Sequence, residues 1–497
     1  MLSIRLGGKA AGRQHTLYAI KSHQVRGAAQ KVAFSSTTVA SKEKVVILGS
    51  GWGGYEVLRG IDKSRYDVTI ISPNTYFNFT PLLASCAVGS LEYRCALEPV
   101  RRYTPQVKSY QAWCDAIDFK SKTLTCMPAT PPLPFEKKPA TLADVTTTAY
   151  PGTGTPFQLP YDKLIISVGA YAQTFGVPGV KEHGYFLKDV KDARSIRTRI
   201  LECFEQAAEP LLTDDQRRNI LHFCIVGGGP TGVEFGAELH DFLQSDIRKH
   251  YPHLATLAKI SLYDVAPTIL SMFDQGLMQY AEKTFKREGI DIFTSHHVEK
   301  IEAGKMHVKE QGEVPFGLLV WSTGLAPNPL IECLTEVEKH PKTGSVITDG
   351  HCQLLMKGST EKSAASDEKP DPVPNPDVWA IGDAAMIQGV MLPATAQVAN
   401  QKGKYLVKKL NRMLEGQDTS APFKWRNLGT LAYVGENQAL YDRSKSAGGP
   451  KPKGAGRMAW LLWRSAYASM ALSMRNKILV PTFWLVNWIF GRDLSRF

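Results

Sequence analysis

No two of the eight cysteines in this 497-residue sequence are spaced as Cys-x-x-Cys; they stand at 86, 95, 114, 126, 203, 224, 333 and 352. His296 and His297 have no cysteine neighbour, so no zinc or iron–sulfur framework is visible and no metal site is expected. Scattered cysteines fit a reducing compartment, where most act as small buried hydrophobes. No Asp-x-Asp-x-Asp-Gly loop occurs, which argues against calcium binding by an EF-hand. The first 42 residues hold no acid, against seven Lys/Arg, and lack the apolar core of a secretory signal. That composition predicts a mitochondrial transit peptide over 1–42, cleaved near Phe34-Ser35. No apolar stop-transfer run follows, which favours import to the matrix side.

The net charge of +12 is concentrated at the ends. Residues 1–42 carry +7 and 440–497 carry +8, which leaves the body, 43–439, at −3. A nucleic-acid partner is therefore not expected, because no basic patch with a recognition motif lies inside the fold. The last 38 residues hold four of the nine tryptophans, Trp460, Trp463, Trp484 and Trp488. Trp460, Trp463, Tyr467, Met470 and Met474 recur at helical spacing and are expected to share one face. The longest uncharged run of this tail, 478–491, has fourteen residues and contains Pro481, too short to span a bilayer. Flanked by Arg464, Arg475, Lys477, Arg492 and Arg496, it suits a helix lying on an anionic lipid surface. Packing of the same helix on the body or on a second subunit is the alternative, and both can hold together.

Against these absences stand two glycine turns. Strand KVVIL (44–48) runs into Gly49-Ser50-Gly51-Trp52-Gly53-Gly54, and HFCIV (222–226) runs into Gly227-Gly228-Gly229-Pro230-Thr231-Gly232. Each then continues as a helix. In a dinucleotide site the first glycine makes the tight turn, the second lets backbone N–H groups approach a pyrophosphate, and the last lets helix and strand pack closely. The strand after the second turn, ISLYD, ends in Asp264, placed to take both ribose hydroxyls of NADH. The strand after the first, DVTIIS, ends in Ser72, whose hydroxyl can still reach a ribose. Glu234 lies on the second helix, near its N-terminus, with a contact to the nicotinamide or a helix-dipole role as its two readings. YDKLIISVGA (161–170, with Gly169) and FGLLVWSTGLAPNP (316–329, with Gly324) read as buried strands ending in small-residue turns where one nucleotide domain hands over to the other. VWAIGDAAM (378–386) presents Gly382 and Asp383, suited to a ribityl chain.

The expected fold is α/β, with two nested Rossmann-type dinucleotide-binding domains and a C-terminal amphipathic helical membrane-anchoring region. Its divisions are 1–42 leader, 43–190 first part of one nucleotide domain, 191–340 the second nucleotide domain, 341–430 return to the first, and 431–497 tail. The stretches 128–156 and 357–376 are rich in Pro, Ser, Thr and Lys and read as loops.

The ordered set GSGWGG, NFTPLLASCAVG, GGGPTGVEFGAEL, AIGDAA and LPATAQVANQKGKYL resembles the type II NADH dehydrogenases, the alternative NADH:ubiquinone oxidoreductases, over about residues 44–497. The resemblance implies FAD held non-covalently at the first turn and NADH at the second, with Thr80 and Pro81 at the cofactor. It implies a quinone site at Ala396-Gln397-Val398-Ala399-Asn400-Gln401. There Gln397 and Gln401 share a helical face and direct amides at a quinone carbonyl and the flavin edge. Tyr467 matches a tail tyrosine near the quinone tunnel. FAD would relay two electrons from NADH to ubiquinone at the mitochondrial inner membrane without proton pumping. No dedicated side-chain acid is evident for the quinol, and a homodimer is a possible assembly.

Two other kinds of flavoprotein share these turns. A dithiol reductase needs a close cysteine pair, and Cys86 and Cys95 are nine apart. A flavoprotein of the apoptosis-inducing kind binds NADH as a redox sensor; the 396–401 motif and the tail argue against it.

Overall fold

The computed structural model describes residues 42–131, 154–358, 371–446 and 450–495. The leader segment, Arg496 and most of the two loop stretches fall outside the described residues.

Two sheets form the body: a five-stranded parallel one, and a ten-stranded mixed one whose central strands are parallel and buried on both faces while the pairings toward its two edges are largely antiparallel. Lys44–Leu48 pairs in parallel with Asp67–Ser72 on one side and Lys163–Ile166 on the other. Val373–Ala380 then adds beside Lys163–Ile166, so a strand from late in the chain joins a sheet begun at its start. This ten-stranded sheet takes its strands from 44–166 and from 346–387. The second sheet has five strands, with His222–Val226 central between Leu318–Trp321 and Lys259–Asp264. Its outermost strand, Tyr185–Phe186, pairs with Leu318–Trp321, so this sheet begins ahead of residue 191.

The two connections between the sheets pair with each other. Ala170–Ala172 lies antiparallel to Leu325–Pro327, directly after the turns at Gly169 and Gly324. The segment 245–259, which lengthens the gap between Gly227 and Asp264, is mostly helical and includes the helix Pro252–Leu257.

An antiparallel three-stranded sheet, Thr430–Gly435, Gln438–Asp442 and Lys453–Gly456, follows and lies against the helix Pro230–Phe242. The tail is two helices, not one: Arg457–Met470 and Met474–Phe490, divided at 471–473, where Ser473 caps the second by accepting from Asn476 N–H. That break corrects the expected single face. Trp463 is buried and Tyr467 half-buried against the body, whereas Met470 and Met474 are exposed. Among the described residues, no helix is long and apolar enough to cross a membrane.

Candidate active site: two glycine turns and a buried carboxyl

The two glycine turns share a geometry that follows from their sequence. Gly49 has φ +97° and Gly227 φ +121°, a region that favours glycine. A side chain at Gly54 would collide with the Gly49 carbonyl, and one at Gly232 with the Gly227 carbonyl. At the middle glycines the result reverses. A Cβ on Gly51 or on Gly229 would meet nothing within 4 Å. The first and last glycines are therefore demanded by the protein's own packing, while the middle ones border open space.

Both helices that follow, Trp52–Gly60 and Pro230–Phe242, start at these middle glycines with no side-chain cap. Asp189, Asp274, Thr395 and Ser473 cap other long helices of the chain. First-turn N–H groups left without partners beside open space form an anion cradle. The residues present thus fit a pyrophosphate at each turn.

Asp264 ends its strand against the second turn, where its carboxylate accepts the N–H groups of Gly228 and Ala266. Each oxygen keeps a further lone pair for a ribose hydroxyl. Ser72 sits at the equivalent place in the first sheet but is turned inward. It bonds Ser50 Oγ at 2.9 Å and accepts from Asn74 N–H, while Ser50 donates to the Tyr76 carbonyl. The one proton of Ser72 is used within this buried pair, which leaves one lone pair able to accept from a ribose hydroxyl. Trp52 donates its indole N–H to Thr80 Oγ1 at 3.0 Å, and Pro81 follows in the same short 3₁₀ turn.

Asp383 lies in the turn Gly382–Ala384, on a cavity of about 180 Å³ lined also by Ser345, Thr395, Val398, Ala399 and Lys402. Burial raises the Asp383 carboxyl above its ordinary value, while Lys188 and Lys402 oppose the shift. Lys402 is only 2% exposed, and its ammonium donates to the Ala385 carbonyl at 3.2 Å. Sequence reasoning missed both lysines. A signal existed for Lys402: it stands in the stripe Val398, Lys402, Leu406, Leu410, the buried face of helix Ala396–Leu414.

Ala396 opens that helix. Gln397 donates to the Gly429 carbonyl at 3.2 Å and accepts from Leu428 N–H at 3.0 Å. One turn later Gln401 donates to the Arg426 carbonyl at 2.8 Å and accepts from Arg426 N–H at 3.0 Å. Two glutamine amides thus hold segment 426–429 to the helix, as a neighbouring strand would. One N–H of each amide is left over from these pairs.

Glu234 and Tyr467 come together across the fold. Glu234 Oε1 accepts from Tyr433 N–H at 3.1 Å and from the Trp463 indole at 3.2 Å. The Trp463 ring packs edge-on against Tyr467 at 5.0 Å between centroids, Tyr467 against Phe79 at 6.4 Å, and Phe79 against Trp52 at 5.3 Å. A file of aromatic rings therefore runs from the first glycine turn to the helix of the second. Burial pushes the Glu234 carboxyl up to about 8, against the pull of its two hydrogen bonds. Burial, and then the neighbouring Glu234, raises the Tyr467 phenol as well. Trp463 itself was legible only as a lipid-facing or packing residue.

Cys86 and Cys95 are both buried, and burial raises both thiols, Cys95 to about 11. A redox-active thiolate requires the opposite.

Nested nucleotide sheets, two uncapped glycine turns and a carboxylate ending the strand beside the second turn define a two-dinucleotide flavoprotein of the pyridine nucleotide reductase class. Residues 43–403 match the family described as pyridine nucleotide-disulphide oxidoreductase, and 427–493 match the NDH2 C-terminal domain. The chain is 36% identical over 468 residues to a probable NADH dehydrogenase of Dictyostelium discoideum, covering 92% of each protein. It is 35% identical to the internal alternative NAD(P)H-ubiquinone oxidoreductase A1, mitochondrial, of Solanum tuberosum, covering 94% of this chain and 90% of that one. Among solved structures it is similar to NDH2 from Plasmodium falciparum in complex with NADH. The TM-score there is 0.77 at 25% identity, with 92% of this chain and 100% of that chain covered. The chain belongs to the type II NADH dehydrogenases.

Proposed function

We propose that this protein oxidises NADH and reduces ubiquinone, with FAD held between the two substrates. The balance is NADH, one proton and quinone giving NAD⁺ and quinol. The observation that carries the reading is the pair of matching glycine turns, one for a resident dinucleotide and one for a visiting dinucleotide, joined by the aromatic file that ends on Glu234.

FAD, when bound, supplies the two-electron redox chemistry linking a hydride donor to a quinone. The first-turn N–H groups after Gly51 would hold its pyrophosphate, and Asp383 its ribityl hydroxyls. Gly229 and the Pro230–Phe242 N-terminus would hold the NADH pyrophosphate, with Asp264 on the adenosine ribose. Ribose binding by a carboxylate repels a 2′-phosphate and so favours NADH over NADPH. Glu234, protonated near neutral pH, is the group we assign to deliver the quinol proton, with Tyr467 forming a wall of the quinone site. From the sequence alone no dedicated side-chain acid for the quinol was evident. Gln397 and Gln401 act first as clamps on 426–429 and offer the quinone one N–H each.

The proposed setting is the mitochondrial inner membrane, on its matrix side. Met458, Leu461, Leu462, Leu485, Trp488 and Phe490 of the two tail helices are exposed, beside Arg475 and Lys477. An apolar face edged by cations suits a helix pair resting in the headgroup region. A second copy of the chain is the competing occupant of that face, and sedimentation in detergent separates the two.

Anaerobic mixing of purified, flavin-loaded protein with NADH, followed by a ubiquinone analogue, tests the reaction. Bleaching of the flavin followed by its recovery is expected. A stable complex with NADH that no quinone reoxidises would favour the redox-sensor reading. NADH oxidation that appears only after mitochondria are permeabilised would support the matrix side.

A further inference from the structure

Away from the two glycine turns, a cavity of about 270 Å³ opens where helix Val190–Ala207 meets segment 86–93 and the second tail helix. Tyr93, Arg194, Arg197, Phe483, Val486 and Asn487 line it. Neither the nucleotide chemistry nor the quinone site uses these residues.

The lining itself is formally balanced, Arg194 and Arg197 against Glu92 and Asp493, and the excess of positive charge comes from Arg94 and Arg475 beside it. Arg197 donates to the Asp493 carbonyl at 2.7 Å, and the Asp493 carboxylate accepts from Ser495 N–H, so this lining pair offsets itself. What remains is Arg194 against Glu92, with Arg94 just outside. Arg94 and Arg194 both lie over the Tyr93 ring, 5.6 and 5.7 Å from its centroid. Neither forms an ion pair among the described residues. Arg475, on the tail helix, adds a further cation beside Cys95. A guanidinium steadied on an aromatic face and lacking a carboxylate partner is suited to a phosphate, whose oxygens its planar fork matches.

The mouth of the cavity adds the second half of the argument. Phe483, Val486 and Asn487 are spaced three and four apart, so one helical face forms the wall, and Phe490 continues it. Asn487 donates to the Gly89 and Ser90 carbonyls, which fixes this wall against segment 86–93. Val486 is 39% exposed and Phe490 81%, so the polar cavity empties onto the apolar face of the tail.

We propose that this cavity seats the phosphodiester headgroup of a glycerophospholipid. Arg194 is the main phosphate cation, and the acyl chains run out along Val486 and Phe490. The inference rests on the membrane-facing reading of the tail and adds to it a discrete site, occupied by one lipid per chain. Such a site would bind lipid from solution even without a bilayer, which a merely greasy surface would not do at one-to-one stoichiometry.

The test is calorimetric titration of the delipidated, flavin-loaded full chain with dihexanoyl phosphatidylglycerol below its micelle concentration, and separately with inorganic phosphate. One lipid per chain is expected, with phosphate alone at least about tenfold weaker. Arg194→Glu should weaken the lipid about tenfold or more, and Arg194→Lys much less. NADH oxidation with a soluble quinone should be unchanged in both variants. Unaltered lipid binding by Arg194→Glu overturns the site, and phosphate binding as tightly as the lipid overturns the assignment to a lipid. Flotation separates this failure from that of the underlying reading. Arg194→Glu that still floats with phosphatidylcholine vesicles leaves the tail on the membrane whatever the titration gives. Wild-type protein that floats with no vesicle, with or without phosphatidylglycerol, removes the membrane reading and this site together.

Discussion

The Trp463 indole donates a hydrogen bond to Glu234 Oε1 at 3.2 Å, joining a residue of the tail to one on the helix of the second glycine turn. The two stand 229 positions apart in the chain, and the contact fixes a carboxyl that no cation balances among the described residues. Desolvation then dominates and keeps the proton on Glu234 near neutral pH.

Glu234→Gln should slow quinone-dependent reoxidation by about 10²-fold, the usual scale for loss of a positioned acid, and spare flavin reduction by NADH. Stopped-flow measurement of the two half-reactions checks this, and equal loss in both would count against a proton role. The stability effect has a definite sign. The folded value of about 8 lies above the ordinary 4.5, so the Glu234 contribution is full below pH 4.5 and is lost as pH rises through 8. Denaturant unfolding of Glu234→Gln should therefore show a shallower fall in stability across that window than wild type.

The middle and last glycines of the second turn should respond differently to alanine. Gly232→Ala forces a side chain onto the Gly227 carbonyl and should lower the melting temperature by several degrees. Gly229→Ala enters open space and should leave melting nearly unchanged while raising KM for NADH about tenfold or more, since the added methyl stands where phosphate approaches. A melting loss as large at Gly229 as at Gly232 would contradict this assignment.

Asp264→Ser removes the carboxylate proposed to face the ribose. The kcat/KM ratio of NADH to NADPH should fall by about ten- to a hundredfold, in line with a lost charged hydrogen bond and relieved repulsion. An unchanged ratio would exclude Asp264 as the ribose acid.

Gln397→Ala and Gln401→Ala each remove two hydrogen bonds that hold segment 426–429 to its helix. Each should cost about 1 kcal/mol and expose 426–429 to limited proteolysis. Quinone kinetics altered with no gain in cleavage would instead assign the amides to substrate.

The glycine turns were plain in the sequence because their geometry is local. A five-residue apolar strand, a glycine at positive φ and a helix start within six residues need no distant partner to be recognised. The place of Asp264 at the end of an apolar strand beside the second turn was legible for the same reason. The engagement of the Ser72 hydroxyl by Ser50 was not legible, because the Ser50 side chain reaches it only after the sheet has formed. The tail misled because helical spacing runs through Ala471 to Ser473, while packing of Trp463 and Val480 on the body breaks the helix there.

The sequence by itself determined the two nucleotide folds, their nesting and the chemistry each turn can hold, because periodicity and glycine placement act over a few residues. Only the tertiary structure decided which groups carry unusual protonation. Glu234, Asp383 and Lys402 look ordinary in the chain, and their shifts come from burial among elements drawn from all parts of it. It likewise decided that the glutamine pair clamps a neighbouring segment and that a cavity with an arginine unpaired among the described residues opens onto the apolar tail. Desolvation and partner choice depend on three-dimensional neighbours, and spacing along a chain does not encode them.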